Sequence, residues 1–128
     1  MTDPSPFTVI ASPGGAPATG GYSPALVWKD LVFVSGQGPI DGNGAIVSGT
    51  IEAETEMTLR NVEALLKAAG SSLDRVVKCT CYLADIGDFD RFDAAYRKVF
   101  AGHRPTRTTV GAGLVGIKVE IDAIAVRS

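Results

Sequence analysis

The stretch IEAETEMTLRNVEALLKAAG, residues 51–70, followed by SSLDRVVKCTCYL, residues 71–83, changes its hydrophobic period once, and that change decides the fold. In the first part Ile51, Thr55, Leu59, Val62, Leu65, Leu66 and Ala69 recur at steps of three and four, which makes one apolar helical face. Glu56 and Arg60, and Glu63 and Lys67, stand four apart on the outer face in the favourable orientation. Gly70 is placed to end the helix in a left-handed conformation. After a turn over Ser71–Asp74 the period falls to two. Val76 to Leu83 then reads as a strand, with Val77, Cys79, Cys81 and Leu83 facing one way and Lys78, Thr80 and Tyr82 the other.

Working outward, a second helix is predicted from about Asp88 to Phe100, with Phe89, Phe92, Tyr96 and Val99 as its buried stripe. Asp88 and Asp90 at its start and Arg97 and Lys98 at its end suit the helix dipole, and Gly102 is expected to stop it. Thr106–Val110 reads as a short strand, Gly111–Gly116 as a glycine-rich bend, and Ile117–Val126 as a long final strand. Toward the N-terminus, Ala25–Trp28 and Leu31–Val34 flank Lys29-Asp30 as a tight hairpin. Asp41-Gly-Asn-Gly44 is a strong turn signal, with the chain returning through Ala45–Val47. Residues 1–16 are expected to be an irregular approach segment, and glycine and proline continue to about residue 21. Two helices can cover only one face of such a sheet, so an α+β sandwich is expected, with its other face buried by something else.

The chain has 128 residues, 45% of them hydrophobic and 20% charged, which fits a single domain spanning 1–128 and argues against disorder. A net charge of −2 leaves no electrostatic case for nucleic acid, which a clustered excess of Lys and Arg would provide. No run approaches a membrane-spanning length, and Met1–Phe7 lacks the marks of a signal peptide, so a cytoplasmic protein is expected. Cys79 and Cys81 are two apart, not a C-x-x-C pair, and His103 is the only histidine. A zinc site therefore lacks ligands, and buried free thiols are expected.

Three polar clusters could carry chemistry. Gly21-Tyr22-Ser23 precedes the first hairpin, where composition alone favours Tyr22 as an edge aromatic over a site residue. Val34-Ser35-Gly36-Gln37-Gly38-Pro39 puts small residues at a strand end, where a ligand can approach the backbone, although turns use the same residues. Arg107 and Glu120 form the third. Alternation sets Glu120 and Asp122 on the side of Ile124 and Val126, opposite Val119 and Ile121. A carboxylate on a mostly apolar face is partly desolvated, which raises its pKa toward a general acid/base range. An arginine's planar fork suits a substrate carboxylate, while an Arg107–Glu120 ion pair ordering two strands would explain the same residues.

The elements Gly-x-Tyr-Ser, Phe-Val-Ser-Gly-Gln, Asn-Val-x-Ala-Leu-Leu-x-Ala-Ala-Gly-Ser-Ser-Leu-Asp, Pro-x-Arg-x-x-Val and Val-Glu-Ile-x-Ala-Ile-Ala occur in this order. Over residues 17–127 the chain thereby resembles the Rid family, also called YjgF and formerly endoribonuclease L-PSP. The resemblance implies a chorismate-mutase-like α+β fold, assembled as a homotrimer around a central β-barrel with clefts between subunits. By position, Arg107 resembles the arginine that clamps the substrate carboxylate, and Glu120 the glutamate that orients or protonates around the attacking water. Tyr22 and Ser35 match residues lining that cleft, and Gly36 the backbone beside them. The chain departs from the pattern at Thr109, where cysteine is often found, and at Asp93, where many have asparagine. It departs also at Gly21, at Pro24 and in a shortened 111–116 bend.

The function this implies is an enamine/imine deaminase that hydrolyses 2-aminoacrylate or similar 2-imino acids to 2-keto acids and ammonia. Arg107, Gly36 and Thr109 would bind substrate, and Glu120, Tyr22 and Ser35 would act on water and proton. No metal or organic cofactor is called for, because an imine is already electrophilic. Two alternatives differ in class. One is a non-catalytic trimer that binds a small carboxylate as a regulator. The other is a ribonuclease or translation inhibitor, which the charge and the lone histidine disfavour.

Overall fold

The computed structural model describes residues 5–13 and 19–127. Six strands form one sheet in the order β1-β2-β3-β6-β4-β5. They are β1 (Phe7–Ile10), β2 (Ala25–Trp28), β3 (Leu31–Gln37), β4 (Val76–Leu83), β5 (Thr106–Gly111) and β6 (Val119–Val126). All neighbours pair antiparallel except β4 and β5. A parallel pair needs a crossover, and α2 (Phe89–Phe100) supplies it. The other long helix, α1 (Ile51–Ala68), carries the chain from β3 to β4.

The helix α1 forms where its apolar period places it. Thr50 caps its start by accepting from the Ala53 amide at 3.1 Å. At its end Gly70 takes φ +83, and Ser71 donates to the Leu66 carbonyl at 2.8 Å, which closes the expected left-handed cap. Inside, Leu59, Val62 and Leu66 meet Val32 of β3 and Ile121 of β6 in one core. Glu54 is buried among them. It accepts from the Lys118 amide at 2.9 Å, from Lys118 Nζ at 3.0 Å and from the Gly49 amide at 3.2 Å, so the carboxylate fixes the approach to α1 against the start of β6.

Both helices lie on one face of the sheet. Val119, Ile121, Ala123 and Ala125 of β6 are buried toward them, while Glu120, Asp122, Ile124 and Val126 are half-buried on the other face, as alternation predicts. Leu26, Phe33 and Tyr82 join this open face. The fold is therefore α+β, with a mixed sheet covered on one side by two helices.

Four expectations change in detail. The N-terminal segment expected to be irregular contains β1, which extends the sheet edge through Phe7↔Trp28 to Ile10↔Ala25. A register shift between Val76 and Lys78 on β4 turns Val76 inward and leaves Val77 exposed, so Val77 does not share the face of Cys79. Asp41–Gly44 makes its turn, but the return is a single bridge, Ile40↔Ile46, not a strand. The stripe of α2 runs Phe92, Tyr96 and Phe100, with Phe89 and Val99 partly covered. Arg60 pairs with Glu63 at 3.1 Å, and Lys67 lies 3.8 Å from the same carboxylate. Cys79 and Cys81 are buried free thiols. Among the described residues no helix is long and apolar enough to cross a membrane.

Candidate functional site

One candidate cluster is built around a bulge in β3. Val34 pairs with Ala123 and Gln37 with Ile121, so three steps on β3 match two on β6 and the extra residue falls at Ser35-Gly36. The bulge brings the Gly36 backbone under the Glu120 side chain. A Cβ added at Gly36 would stand 2.7 Å from Glu120 Oε2 and 2.9 Å from its Cδ. Glycine is present because the carboxylate occupies that space. Ser35 donates its hydroxyl to the Ser23 carbonyl at 2.6 Å and its amide to the Pro24 carbonyl at 2.9 Å. Its proton is thus committed and its lone pairs remain for a ligand. Tyr22, next to Ser23, is about half exposed and accepts weakly from the Thr19 amide at 3.4 Å.

The Glu120 carboxyl is pushed up from the usual range, chiefly by burial and then by the charge of Asp122. Asp122 itself accepts from the Thr80 amide at 3.1 Å. Burial also raises the Tyr82 hydroxyl, with Asp122 and then Glu120 adding to it. A cavity of about 510 Å³ opens on this face, with Phe33, Ser35, Gly36, Lys78, Thr80 and Asp122 in its wall.

A second cluster surrounds Arg107 on β5. Its guanidinium lies over the rings of Tyr96, Phe89 and Phe92 at 4.7, 5.4 and 5.5 Å, so it faces α2. Nη1 donates to Asp93 Oδ1 at 2.7 Å, and Arg97 holds the other oxygen of Asp93 at 3.3 Å. Thr109, two residues on, keeps a buried hydroxyl without a hydrogen-bond partner. A cavity of about 240 Å³ lies between Asp93, Tyr96, Arg97, Arg104, Pro105 and Arg107. Beneath it Cys79 is pushed up to about 11, mainly by burial, so this thiol stays protonated.

The two clusters lie on opposite faces of the sheet. Arg107 pairs with Cys79 and Thr109 with Cys81, both buried toward the helices, whereas Glu120 pairs with Tyr82 on the open face. Strand β4 also stands between β5 and β6. The Arg107–Glu120 ion pair weighed from the sequence does not form within this chain; Asp93 is the partner of Arg107. Ser35, Gly36 and Glu120 are thus brought together, Tyr22 is tied to them only through the neighbouring Ser23, and Arg107 and Thr109 form a separate group. The sequence reading missed Asp93 and Tyr96 as neighbours of Arg107. The signal available was their spacing with Phe89 and Phe92, which puts all four on one side of a helix. Among the described residues no three His, Cys, Asp or Glu side chains gather as metal ligands do.

The chain resembles known proteins over nearly its whole length. The family model described as endoribonuclease L-PSP matches residues 14–127. A Rattus norvegicus protein named 2-iminobutanoate/2-iminopropanoate deaminase is 38% identical over 122 residues, covering 93% of this chain and 89% of that one. The crystal structure of yeast YEO7 superposes with a TM-score of 0.91 at 35% identity, over 95% of this chain and 99% of that one. The E. coli protein TdcF, solved with bound serine, gives a TM-score of 0.87 at 32% identity, over 94% and 99% of the two chains.

Proposed function

Since this chain belongs to the endoribonuclease L-PSP family, the group that includes the Rid proteins, we propose that it hydrolyses short 2-imino acids to 2-keto acids and ammonia. The observation that carries the reading is that one chain presents both a partly desolvated carboxyl, Glu120, laid over an exposed backbone at Gly36, and, on the other face, an arginine stacked on aromatic rings. The deaminase name borne by the rat relative supports it.

The chemistry is balanced by one carboxyl. Water adds to the carbon of the protonated imine as Glu120 takes one of its protons and passes it to the nitrogen. The C–N bond then breaks as Glu120 takes the remaining hydroxyl proton, so that the carbonyl forms, ammonia leaves and the last proton goes to ammonia or solvent. A carboxyl whose pKa is raised toward neutrality serves both transfers. Arg107 holds the substrate carboxylate, so that water meets an oriented imine. Thr109 offers its unpaired hydroxyl beside Arg107, while on the Glu120 side Ser35 would serve as an acceptor and Tyr22 would supply its hydroxyl. Because Arg107 and Glu120 face opposite sides of one sheet, a ligand touching both must sit between two copies of the chain. The open, partly apolar face supports the same assembly, a homotrimer with its sheets turned inward.

The test generates iminopropanoate in situ with an amino-acid oxidase, traps it with semicarbazide, and measures how much the protein diverts to pyruvate. Arg107→Lys keeps the charge and loses the fork, so kcat/KM is expected to fall at least about tenfold. Glu120→Gln is expected to lose about 10²-fold or more in kcat with keto-acid binding retained. As pH falls through the raised Glu120 pKa the base form is lost, so the acid limb of kcat/KM should lie above the ordinary carboxylate range. No diversion by the wild type, across several short amino-acid precursors, would overturn the reading.

A further inference from the structure

The Arg107 guanidinium carries a carboxylate of its own chain. Asp93 Oδ1 lies 2.7 Å from Nη1, and both side chains are well shielded, with about a fifth to a quarter of their surface exposed. An arginine offers five N–H donors, and this contact uses one nitrogen. The remaining edge can still take a ligand carboxylate, but that carboxylate then meets the negative charge of Asp93 alongside the positive charge of Arg107. The negative charge of Asp93 offsets part of that attraction for a simple monoanion. Arg97 does little to relieve this. Its side chain is 59% exposed, so water and salt screen it, and Arg104 in the same wall is likewise exposed, with Nη1 donating to the Ala101 and His103 carbonyls. A ligand with a cationic nitrogen next to its carboxylate gains from both members of the pair.

We propose that Asp93 makes the Arg107 subsite select by charge, taking a short carboxylate that bears an adjacent cationic nitrogen in preference to the plain 2-keto acid of the same skeleton. The preferred class is the protonated 2-imino acid, with the amino-acid zwitterion as its stable analogue. This rests on Arg107 being the carboxylate clamp. Its consequence for turnover is direct. Hydrolysis removes the cationic nitrogen, and the product becomes the ligand that the pair holds least well.

The test measures dissociation constants for pyruvate and L-alanine by calorimetry or ligand-observed NMR on wild type, Asp93→Asn, Asp93→Glu and Arg107→Ala. Asp93→Asn keeps the shape and removes the charge. It is expected to tighten pyruvate about tenfold and to lower the alanine-to-pyruvate preference by at least that factor, with stronger product inhibition. Asp93→Glu, which keeps the charge, should restore the wild-type preference. A pyruvate constant in Asp93→Asn within twofold of wild type, with binding lost in Arg107→Ala, overturns charge selection and leaves the clamp standing. Wild-type binding of both ligands in Arg107→Ala, or no pyruvate binding in either wild type or Asp93→Asn, overturns the clamp and the selection together.

Discussion

At the scale of single residues, Gly36 and Glu120 define each other. A methyl group at position 36 would press on the far end of the Glu120 side chain, 2.7 Å from Oε2, and not on backbone. Such an end can swing away, so Gly36→Ala is expected to leave the fold nearly as stable, within about 0.5 kcal/mol. The displaced carboxyl is expected to cost about 10²-fold in imine hydrolysis. Thermal melting and the semicarbazide assay on the same preparation separate the two effects; a large loss of stability with activity retained per folded molecule would contradict this account. Glu120 could be placed from the sequence because strand alternation fixes which face a residue takes, and the open face of β6 came out as Glu120, Asp122, Ile124 and Val126. Its contact with Gly36 could not, since that depends on where the β3–β6 register slips. The Arg107–Asp93 pair was hidden for the same kind of reason. Fourteen positions of chain separate the two, and only the docking of α2 over β5 brings them to 2.7 Å.

At the scale of elements, the end of α2 shows a turn whose residues are in the less favourable order. His103 donates its amide to the Phe100 carbonyl at 3.1 Å, closing the turn Phe100-Ala101-Gly102-His103. Ala101 takes φ 55 and ψ −116, the first central position of a turn that favours glycine there, while glycine stands at the second. The sequence reading assigned the stop to Gly102 because glycine is the usual residue for it; the strained position is one earlier. Ala101→Gly is therefore expected to stabilise the protein by about 1 kcal/mol through relief of backbone strain. A denaturant midpoint equal to or below that of wild type would count against it. The long elements were legible because α1 and β6 carry many periods of their pattern. β1 was not, since its four residues lie on an edge, Phe7 to Val9 are exposed, and pairing with β2 alone makes them a strand. Val77 was misplaced because a bulge shifts the phase of alternation within β4, and nothing in the local sequence marks it.

At the scale of the whole molecule, the sheet separates what the chemistry must bring together. Arg107 faces α2 on an edge strand, Glu120 faces the open side two strands away, and no rotation of side chains joins them within one chain. That the helices would leave one face uncovered was legible from their number; that the site would be divided across the sheet was not, because it required the pairing of Cys79 with Arg107 and of Tyr82 with Glu120. The division yields a sharp prediction for the proposed trimer. Arg107→Ala chains contribute an intact Glu120 half, and Glu120→Gln chains an intact Arg107 half. Each preparation alone is expected to be inactive. When the two are co-expressed in equal amounts with different tags and isolated as mixed assemblies, an interface is intact only where a Glu120→Gln chain supplies the arginine and an Arg107→Ala chain the glutamate. Each mixed closed trimer then holds one such interface in three, so about a third of the wild-type sites should return. Recovery near that fraction, scored as pyruvate formed against semicarbazide, requires a site shared between subunits. Mixed assemblies that stay inactive, or a stable 13.3 kDa species at micromolar concentration by light scattering, would mean that the two halves never meet and that imine hydrolysis is not their joint work.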